Sequence, residues 1–102
     1  MFKNLNEATA GDLVEVSGMV HNVRVTKWGG FIILRKSRGL LQTVVGDQST
    51  FIDEQGQPIA MADLCREMAV TITGRVNEAT IKDPAAFYST IEIAVDKVEV
   101  LS

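Results

Sequence analysis

Cysteine and histidine are scarce in this sequence, and each shortage excludes a class of site. Of 102 residues, one is cysteine and one is histidine. The single cysteine, Cys65, excludes an intramolecular disulfide and is typical of a reducing compartment, so we expect a cytoplasmic protein. One histidine and one cysteine cannot supply the usual ligand set of a structural zinc site, so no metal is expected.

Long apolar runs and catalytic motifs are also missing. No stretch reaches the roughly 18 apolar residues of a membrane span, and the N-terminal MFKNLNEATAGD has no signal-peptide core. The sequence has no nucleotide-binding glycine loop, no GxSxG motif and no paired acid and base, so we expect neither a cofactor nor catalysis by this chain alone. Its 46% hydrophobic and 23% charged residues are typical of one folded domain, residues 1–102.

Acidic residues are absent from residues 16–46, although the net charge of the chain is −3. That segment carries five basic residues: Arg24, Lys27, Arg35, Lys36 and Arg38. The rest of the chain has five basic and thirteen acidic residues. Because local potential steers charged partners, the segment favours an anionic partner; chance segregation of surface charge is the alternative.

Alternation of apolar and polar residues predicts five short strands, over residues 13–24, 31–36, 40–45, 69–77 and 89–101. Gly18 predicts a bulge or a sharp bend in the first strand. Reversed parity predicts a bulge near Asp96 and Lys97 in the last strand. Residues 46–58 and 82–87 are expected to be loops.

The spacing of apolar residues changes between the third and fourth predicted strands. Apolar residues recur there at helical spacing, which predicts a helix over residues 59–68 with a core-facing side made of Met61, Leu64, Cys65 and Met68. This order favours an all-β barrel, a five-stranded OB-fold with one helix between strands 3 and 4. An open α+β sheet is the competing architecture.

Four segments, in order, resemble a known family: GMVHNVR, GGFIILR, GLLQTVV and TIEIAVDKVEVL. Over residues 10–101 they are similar to the anticodon-binding OB-fold domain of class II aspartyl-, asparaginyl- and lysyl-tRNA synthetases, most of all the archaeal-type aspartyl enzymes. The resemblance implies a role in protein biosynthesis with a tRNA anticodon loop as partner. The catalytic domain of such enzymes is not among these residues, so we expect an excised N-terminal domain or a free-standing relative.

The resemblance also implies roles for individual residues. Phe31 corresponds to the aromatic that stacks on the middle anticodon base, a uridine, and Gln42 to the glutamine that hydrogen-bonds this base. Arg24 corresponds to an arginine that contacts the anticodon loop, and Glu92 to a glutamate that reads a neighbouring base. The pattern departs at Val25, where Asp or Gln usually follows the arginine. It departs again after F-x-x-L-R, where a lysine replaces the frequent Asp.

The residue types suit this chemistry. Phe31 shares a strand face with Arg35, which must reach solvent or a partner, so the ring is expected on the outer face as a base-stacking platform. Gln42 offers both a donor and an acceptor to a uracil edge, and Glu92 offers acceptors only. The alternatives are a core position for Phe31, an ordinary surface position for Gln42 and a strand cap or an ion pair with an acid for Arg24. For Glu92 they are a solvated strand position or a surface ion pair with Arg35.

Lys27, Trp28 and Lys36 are secondary candidates for RNA binding. Trp28 lies in a turn, where it is either a second stacking ring or a buried anchor. The anchor is favoured, because buried tryptophans dominate local packing. His21 is expected to be a surface strand residue without a catalytic role.

Three functions follow from these residues. The favoured one is an anticodon-loop binder; the others are a general single-stranded nucleic-acid binder and a protein-interaction module, natural or engineered, that uses the same barrel face. Because an isolated domain makes few base contacts, we expect micromolar or weaker affinity that falls as salt rises.

Overall fold

The computed structural model describes residues 2–82 and 88–101. The described chain contains six strands: β1 (Leu13–Thr26), β2 (Gly29–Lys36), β3 (Gly39–Val45), β4 (Thr50–Ile52), β5 (Ala69–Glu78) and β6 (Ile91–Val100). Two short 3₁₀ turns, Leu5–Glu7 and Met61–Asp63, are the helical segments within these residues.

Five of the strands form a closed barrel. Antiparallel pairing runs from β3 through β2, β1 and β5 to β6, and a parallel pairing of β3 with β6 closes the circle. The short β4 runs parallel to β6 further along that strand. The all-β OB-fold barrel is therefore confirmed, and the open α+β sheet is wrong.

β1 pairs with two strands, its first half with β5 and its second half with β2. The register with β2 skips His21, which forms a bulge. Val20, before the bulge, is fully buried, and Val23, after it, packs against the core, so the inward parity reverses there. The bulge is thus at His21 and not at Gly18, which pairs in register with β5 just before β1 changes partner.

The bulge predicted near the end of the chain is confirmed. Pairing with β5 passes from Lys97 to Val95 and leaves Asp96 as the extra residue in β6. Ile93 and Val95 before it, and Val98 after it, all point into the barrel. The core is a set of buried aliphatic side chains, dominated by valine and isoleucine from all five barrel strands.

The helix predicted over residues 59–68 is wrong. Only the turn Met61–Asp63 forms, and Leu64 directly after it is extended. Glu67 has a φ of 74°, and its N–H donates to the Val20 carbonyl at 2.8 Å. The segment thus directs backbone hydrogen bonds to β1, which a continuing helix would need for itself. Leu64 still reaches the core, whereas Cys65 is exposed, contrary to its predicted core position.

The loop predicted over residues 46–58 contains β4, where Phe51 packs against the core. This strand has only three residues, too few for an alternating pattern to be recognised. Most of the other predicted loop, residues 83–87, lies outside the described residues.

Candidate nucleic-acid interface

The outer face of the β2–β3 hairpin carries the predicted aromatic. Ile32 and Leu34 are fully buried, so Phe31 and Ile33 point to the other side of β2, where both are half-buried. This is the parity that the sequence favoured. In the pairing with β3, Gln42 lies opposite Ile33, which places its side chain on the same face as the ring.

Arg24 joins this face because of the bulge at His21. Inward-facing residues of β1 have even numbers up to Val20, and an unbroken strand would point Arg24 inward as well. The bulge reverses the parity, and Arg24 becomes the cross-strand partner of Phe31 with its side chain exposed. Within the described residues no hydrogen bond or ion pair engages its guanidinium.

A shallow depression lies among these side chains and is lined by Asn22, Arg24, Phe31, Ile33 and Gln42. Its volume of about 140 Å³ is below the roughly 300–1,000 Å³ typical of small-molecule pockets. The depression is better suited to contact one edge or face of a larger partner than to enclose a small ligand. Sequence reasoning missed Asn22 and Ile33, and only the position of the bulge would have indicated Asn22.

Gln42 and Glu92 are joined by a hydrogen bond. Gln42 Nε2 donates to Glu92 Oε2 at 2.9 Å, in a partly buried position. The parallel β3–β6 pairing sets their neighbours Thr43 and Ile93 opposite each other and so brings the two side chains together. Because a carboxylate only accepts, it fixes which end of the carboxamide faces it. The Gln42 oxygen and its second N–H lie outside this bond.

Arg35 is engaged elsewhere. Its Nη1 and Nη2 donate to the two carboxylate oxygens of Glu67 at 3.0 and 2.6 Å, which replaces the alternative pairing with Glu92. Hydrogen bonding to Arg35 lowers the pKa of Glu67 below its ordinary value, and the charge of Arg35 acts in the same direction. Hydrogen bonding to Glu67 likewise raises the pKa of Arg35. Of the five primary candidates, Arg24, Phe31 and Gln42 line the depression, Glu92 contacts it through Gln42, and Arg35 does neither.

The secondary candidates lie at the two ends of β2. Lys36 Nζ donates to the Ser17 carbonyl at 2.7 Å. Lys27 and Trp28 form the turn between β1 and β2, with the Lys27 ammonium 5.4 Å from the centroid of the Trp28 ring. The Trp28 side chain is 78% exposed, so its interpretation as a buried anchor is wrong.

Other chemistry is not indicated by the described part of the chain. His21 Nδ1 is buried without a hydrogen-bond partner there, at the bulge rather than beside a nucleophile. Residues 2–82 and 88–101 contain no group of His, Cys, Asp and Glu side chains arranged to hold a metal ion. In the same ranges, no helix is long and apolar enough to cross a membrane.

No protein-family model matches the sequence, and no curated protein sequence matches it significantly. Solved structures do match. The aspartyl-tRNA synthetase of Entamoeba histolytica superposes with a TM-score of 0.74 at 20% identity, covering 100% of this chain and 21% of the synthetase. The asparaginyl-tRNA synthetase of the same organism, in complex with asparaginyl-adenylate, superposes with a TM-score of 0.68 at 27% identity, covering 95% and 22%.

A third matching structure is an OBody, AM3L09, bound to hen egg-white lysozyme, with a TM-score of 0.67 at 19% identity over 91% of this chain and 84% of that one. At such identities, the OBody and the aspartyl enzyme show a shared fold. The chain spans about a fifth of the length of the two synthetases. The resemblance found in the sequence is thereby confirmed: this chain is similar, over nearly all its length, to a domain-sized part of aspartyl- and asparaginyl-tRNA synthetases, consistent with an anticodon-binding OB-fold domain.

Proposed function

We propose that this chain is a tRNA anticodon-loop binding module that reads a central uridine. It acts by binding, as the domain or a relative of the domain of an aspartyl-type tRNA ligase, and the ligation chemistry belongs to the rest of such an enzyme. The observation that carries the proposal is the group on the outer barrel face: a half-exposed Phe31 ring, the Arg24 guanidinium beside it, and a Gln42 carboxamide oriented by Glu92.

Phe31 would hold the base by its face. Aromatic side chains on OB-fold strands stack unpaired bases, and each such contact is worth about 1–3 kcal/mol. Stacking tolerates any base, so the ring alone does not select uridine. Selection needs a side chain that reads the edge of the base.

Gln42 would supply that selection. Uracil presents an N–H between two carbonyl oxygens, so it needs an acceptor next to a donor. With one Nε2 hydrogen given to Glu92, the Gln42 side chain retains its oxygen as acceptor and its second N–H as donor. The Glu92 carboxylate excludes the flipped amide, because the amide oxygen would then face a negative oxygen. Glu92 is therefore a positioning residue for Gln42 in addition to its implied role in reading a neighbouring base.

Basic side chains would contact the phosphates. Arg24 lies beside the ring and is unengaged within the described residues. A guanidinium has five N–H donors, so Arg35 retains three after its two bonds to Glu67. The ammonium of Lys36 similarly retains donors beyond the one that bonds Ser17. These contacts position the RNA and make affinity depend on salt.

The test is a titration with anticodon stem-loops that differ only at the middle base. We expect micromolar or weaker binding with preference for uridine. Phe31→Ala should weaken binding of every stem-loop by about 1–3 kcal/mol. Gln42→Ala should abolish the preference, and Glu92→Gln should reduce discrimination of uridine from cytidine, because a glutamine at that position accommodates either amide orientation. Measurement of Kd by fluorescence anisotropy with labelled RNA distinguishes these effects.

Phe2→Ala and Gln55→Ala are matched controls, since both residues are exposed and neither lines the depression. Neither should change the dissociation constants. Equal affinity for all middle bases would replace the proposal with a general single-strand binder. Absence of RNA binding by the folded protein would refute it and favour a protein-interaction module.

A further inference from the structure

The turn between β1 and β2 presents an aromatic ring that the fold does not use. Thr26 and Gly29 are paired, so Lys27 and Trp28 alone form the turn. The backbone N–H of Trp28 donates to Thr26 Oγ1 at 3.3 Å, which links the turn to the end of β1. The side chain is 78% exposed, unlike most tryptophans in folded domains. Because the ring also borders a depression together with Phe31 and Val44, it belongs to an exposed apolar patch of the kind that marks contact surfaces.

The Trp28 ring lies next to the proposed base-reading site around Phe31. Trp28, Phe31 and Val44 border a second, mainly apolar depression, and Phe31 also lines the first one. Phe31 therefore borders both depressions. Trp28 and Phe31 are three residues apart, so their Cα atoms are separated by at most about 11 Å. One extended strand of a partner can contact both rings.

The charged residues around the Trp28 ring favour one kind of partner. The Lys27 ammonium lies 5.4 Å from the Trp28 ring centroid, and the exposed Arg24 is on the neighbouring stretch of β1. No acidic residue occurs between Glu15 and Asp47 in the sequence. An aromatic face with a cation beside it matches a nucleotide, which places a base on the ring and a phosphate near the ammonium.

We propose that Trp28 is a second base-stacking platform, which holds the nucleotide adjacent to the one stacked on Phe31, with Lys27 on its phosphate. The inference rests on the proposed function, because it assumes that single-stranded RNA occupies the Phe31 face. It adds a two-ring site in which the β1–β2 turn takes part in holding the loop.

The fluorescence of Trp28 tests the proposal directly, because Trp28 is the only tryptophan in the chain. The full 102-residue chain is titrated with an anticodon stem-loop that has a central uridine. Stacking of a base on the indole should quench its emission along the same saturation curve as binding. An abasic nucleotide on the Trp28 side of the uridine should remove the quenching, while an abasic nucleotide on the other side should leave it.

Affinity gives a second readout. Trp28→Ala should weaken binding roughly 5- to 150-fold, the equivalent of the ~1–3 kcal/mol of one stacked base. Trp28→Phe should recover part of the loss. The effect of Trp28→Ala should disappear with the RNA whose adjacent nucleotide is abasic, since nothing then remains to stack. Phe2→Ala is the matched control for removal of an exposed aromatic and should leave the affinity unchanged.

The outcomes separate this inference from the function on which it rests. If RNA binds with a preference for uridine but neither quenches Trp28 nor responds to Trp28→Ala, the second platform is refuted and the reading of uridine by Phe31 and Gln42 stands. If RNA does not bind, both proposals fail, and the exposed ring is left to a protein partner. An equal loss with intact and abasic RNA would also refute the stacking role.

Discussion

At the scale of single residues, Glu67 has the left-handed φ of 74° that side chains with a Cβ rarely adopt. Two contacts keep it there. Its N–H bonds the Val20 carbonyl of β1, and its carboxylate accepts two hydrogen bonds from Arg35 of β2. These contacts therefore link the segment between β4 and β5 to β1 and β2, two of the strands that carry the candidate site.

The lowered pKa of Glu67 predicts a pH dependence of stability. A carboxylate whose pKa is lower in the folded state stabilises the fold fully at pH values above its pKa in the unfolded chain, which is about 4.3 for glutamate. This stabilisation is lost as the pH falls through the pKa of the folded state. Glu67→Gln should therefore lower the melting temperature at pH 7, and the difference from wild type should vanish in acid. Thermal unfolding followed by circular dichroism at both pH values measures it.

Glu54→Gln is the control for that comparison, because Glu54 is exposed and forms no ion pair with another described residue. Its melting temperature should match wild type at neutral pH. A difference for Glu67→Gln that persists unchanged in strong acid would show that the charge of Glu67 is not what stabilises the segment.

At the scale of elements, three close approaches between strands depend on glycine, at Gly29, Gly30 and Gly74. A Cβ atom on Gly74 of β5 would lie 2.1 Å from the carbonyl oxygen of Ala94 in β6. This is where the β5–β6 register shifts around the bulge at Asp96. A Cβ atom on Gly30 of β2 would lie 2.3 Å from the Arg24 carbonyl oxygen. At Gly74 and Gly30 the neighbouring strand therefore approaches more closely than a side chain would permit.

Gly74→Ala should destabilise the barrel, because the new methyl group would clash with the backbone of Ala94 and the side chain of Ile93 in β6, which must move. Forced overpacking of this kind costs about 1–3 kcal/mol in the free energy of unfolding, which chemical denaturation can measure. Gly46→Ala is the matched control: no atom lies within 4 Å of its added Cβ. It should be neutral or stabilise by about 0.4–1 kcal/mol through the unfolded chain. Equal effects of the two substitutions would contradict the steric argument.

At the scale of the whole molecule, charge is segregated over a barrel with a net charge of −3. Residues 16–46, which contain most of β1, all of β2 and β3 and the turns between them, carry five basic residues and no acidic residue, and all thirteen acids lie elsewhere in the sequence. An RNA that approaches these strands would therefore meet a segment of the chain rich in basic residues, whereas the rest of the chain has an excess of acidic residues. Such an arrangement orients the encounter as well as strengthening it.

The segregation predicts binding that is sensitive to salt and to single lysines. The logarithm of Kd should rise linearly with the logarithm of salt concentration. Lys27→Ala should lower that slope by about 0.7, the release expected from one phosphate contact with a single strand. Lys3→Ala should leave the slope unchanged, because Lys3 precedes β1 at the opposite end from the turn. A slope indifferent to Lys27→Ala would exclude a phosphate contact there.

The sequence by itself determined the five strands of the barrel, but not the short β4. Alternating valine and isoleucine residues specify which side chains are inside, and the reversed parity of β6 was enough to predict a bulge near Asp96 and Lys97, which the structure has at Asp96. The same alternation put Phe31 on the outer face of β2. These features follow from local pattern, because the two-residue period of a strand relates each residue directly to one face.

Only the tertiary structure decided the rest. The period of Met61, Leu64 and Met68 fits a helix, yet hydrogen bonds to β1 produce an irregular segment that still directs apolar side chains to the core. The Gln42–Glu92 bond arises because closure of the barrel sets β3 beside β6, strands separated by 45 residues in sequence at their nearest ends. The bulge at His21 turned Arg24 outward, and an uncovered turn left Trp28 exposed. Each depends on contacts between distant segments, which no periodicity within one segment encodes.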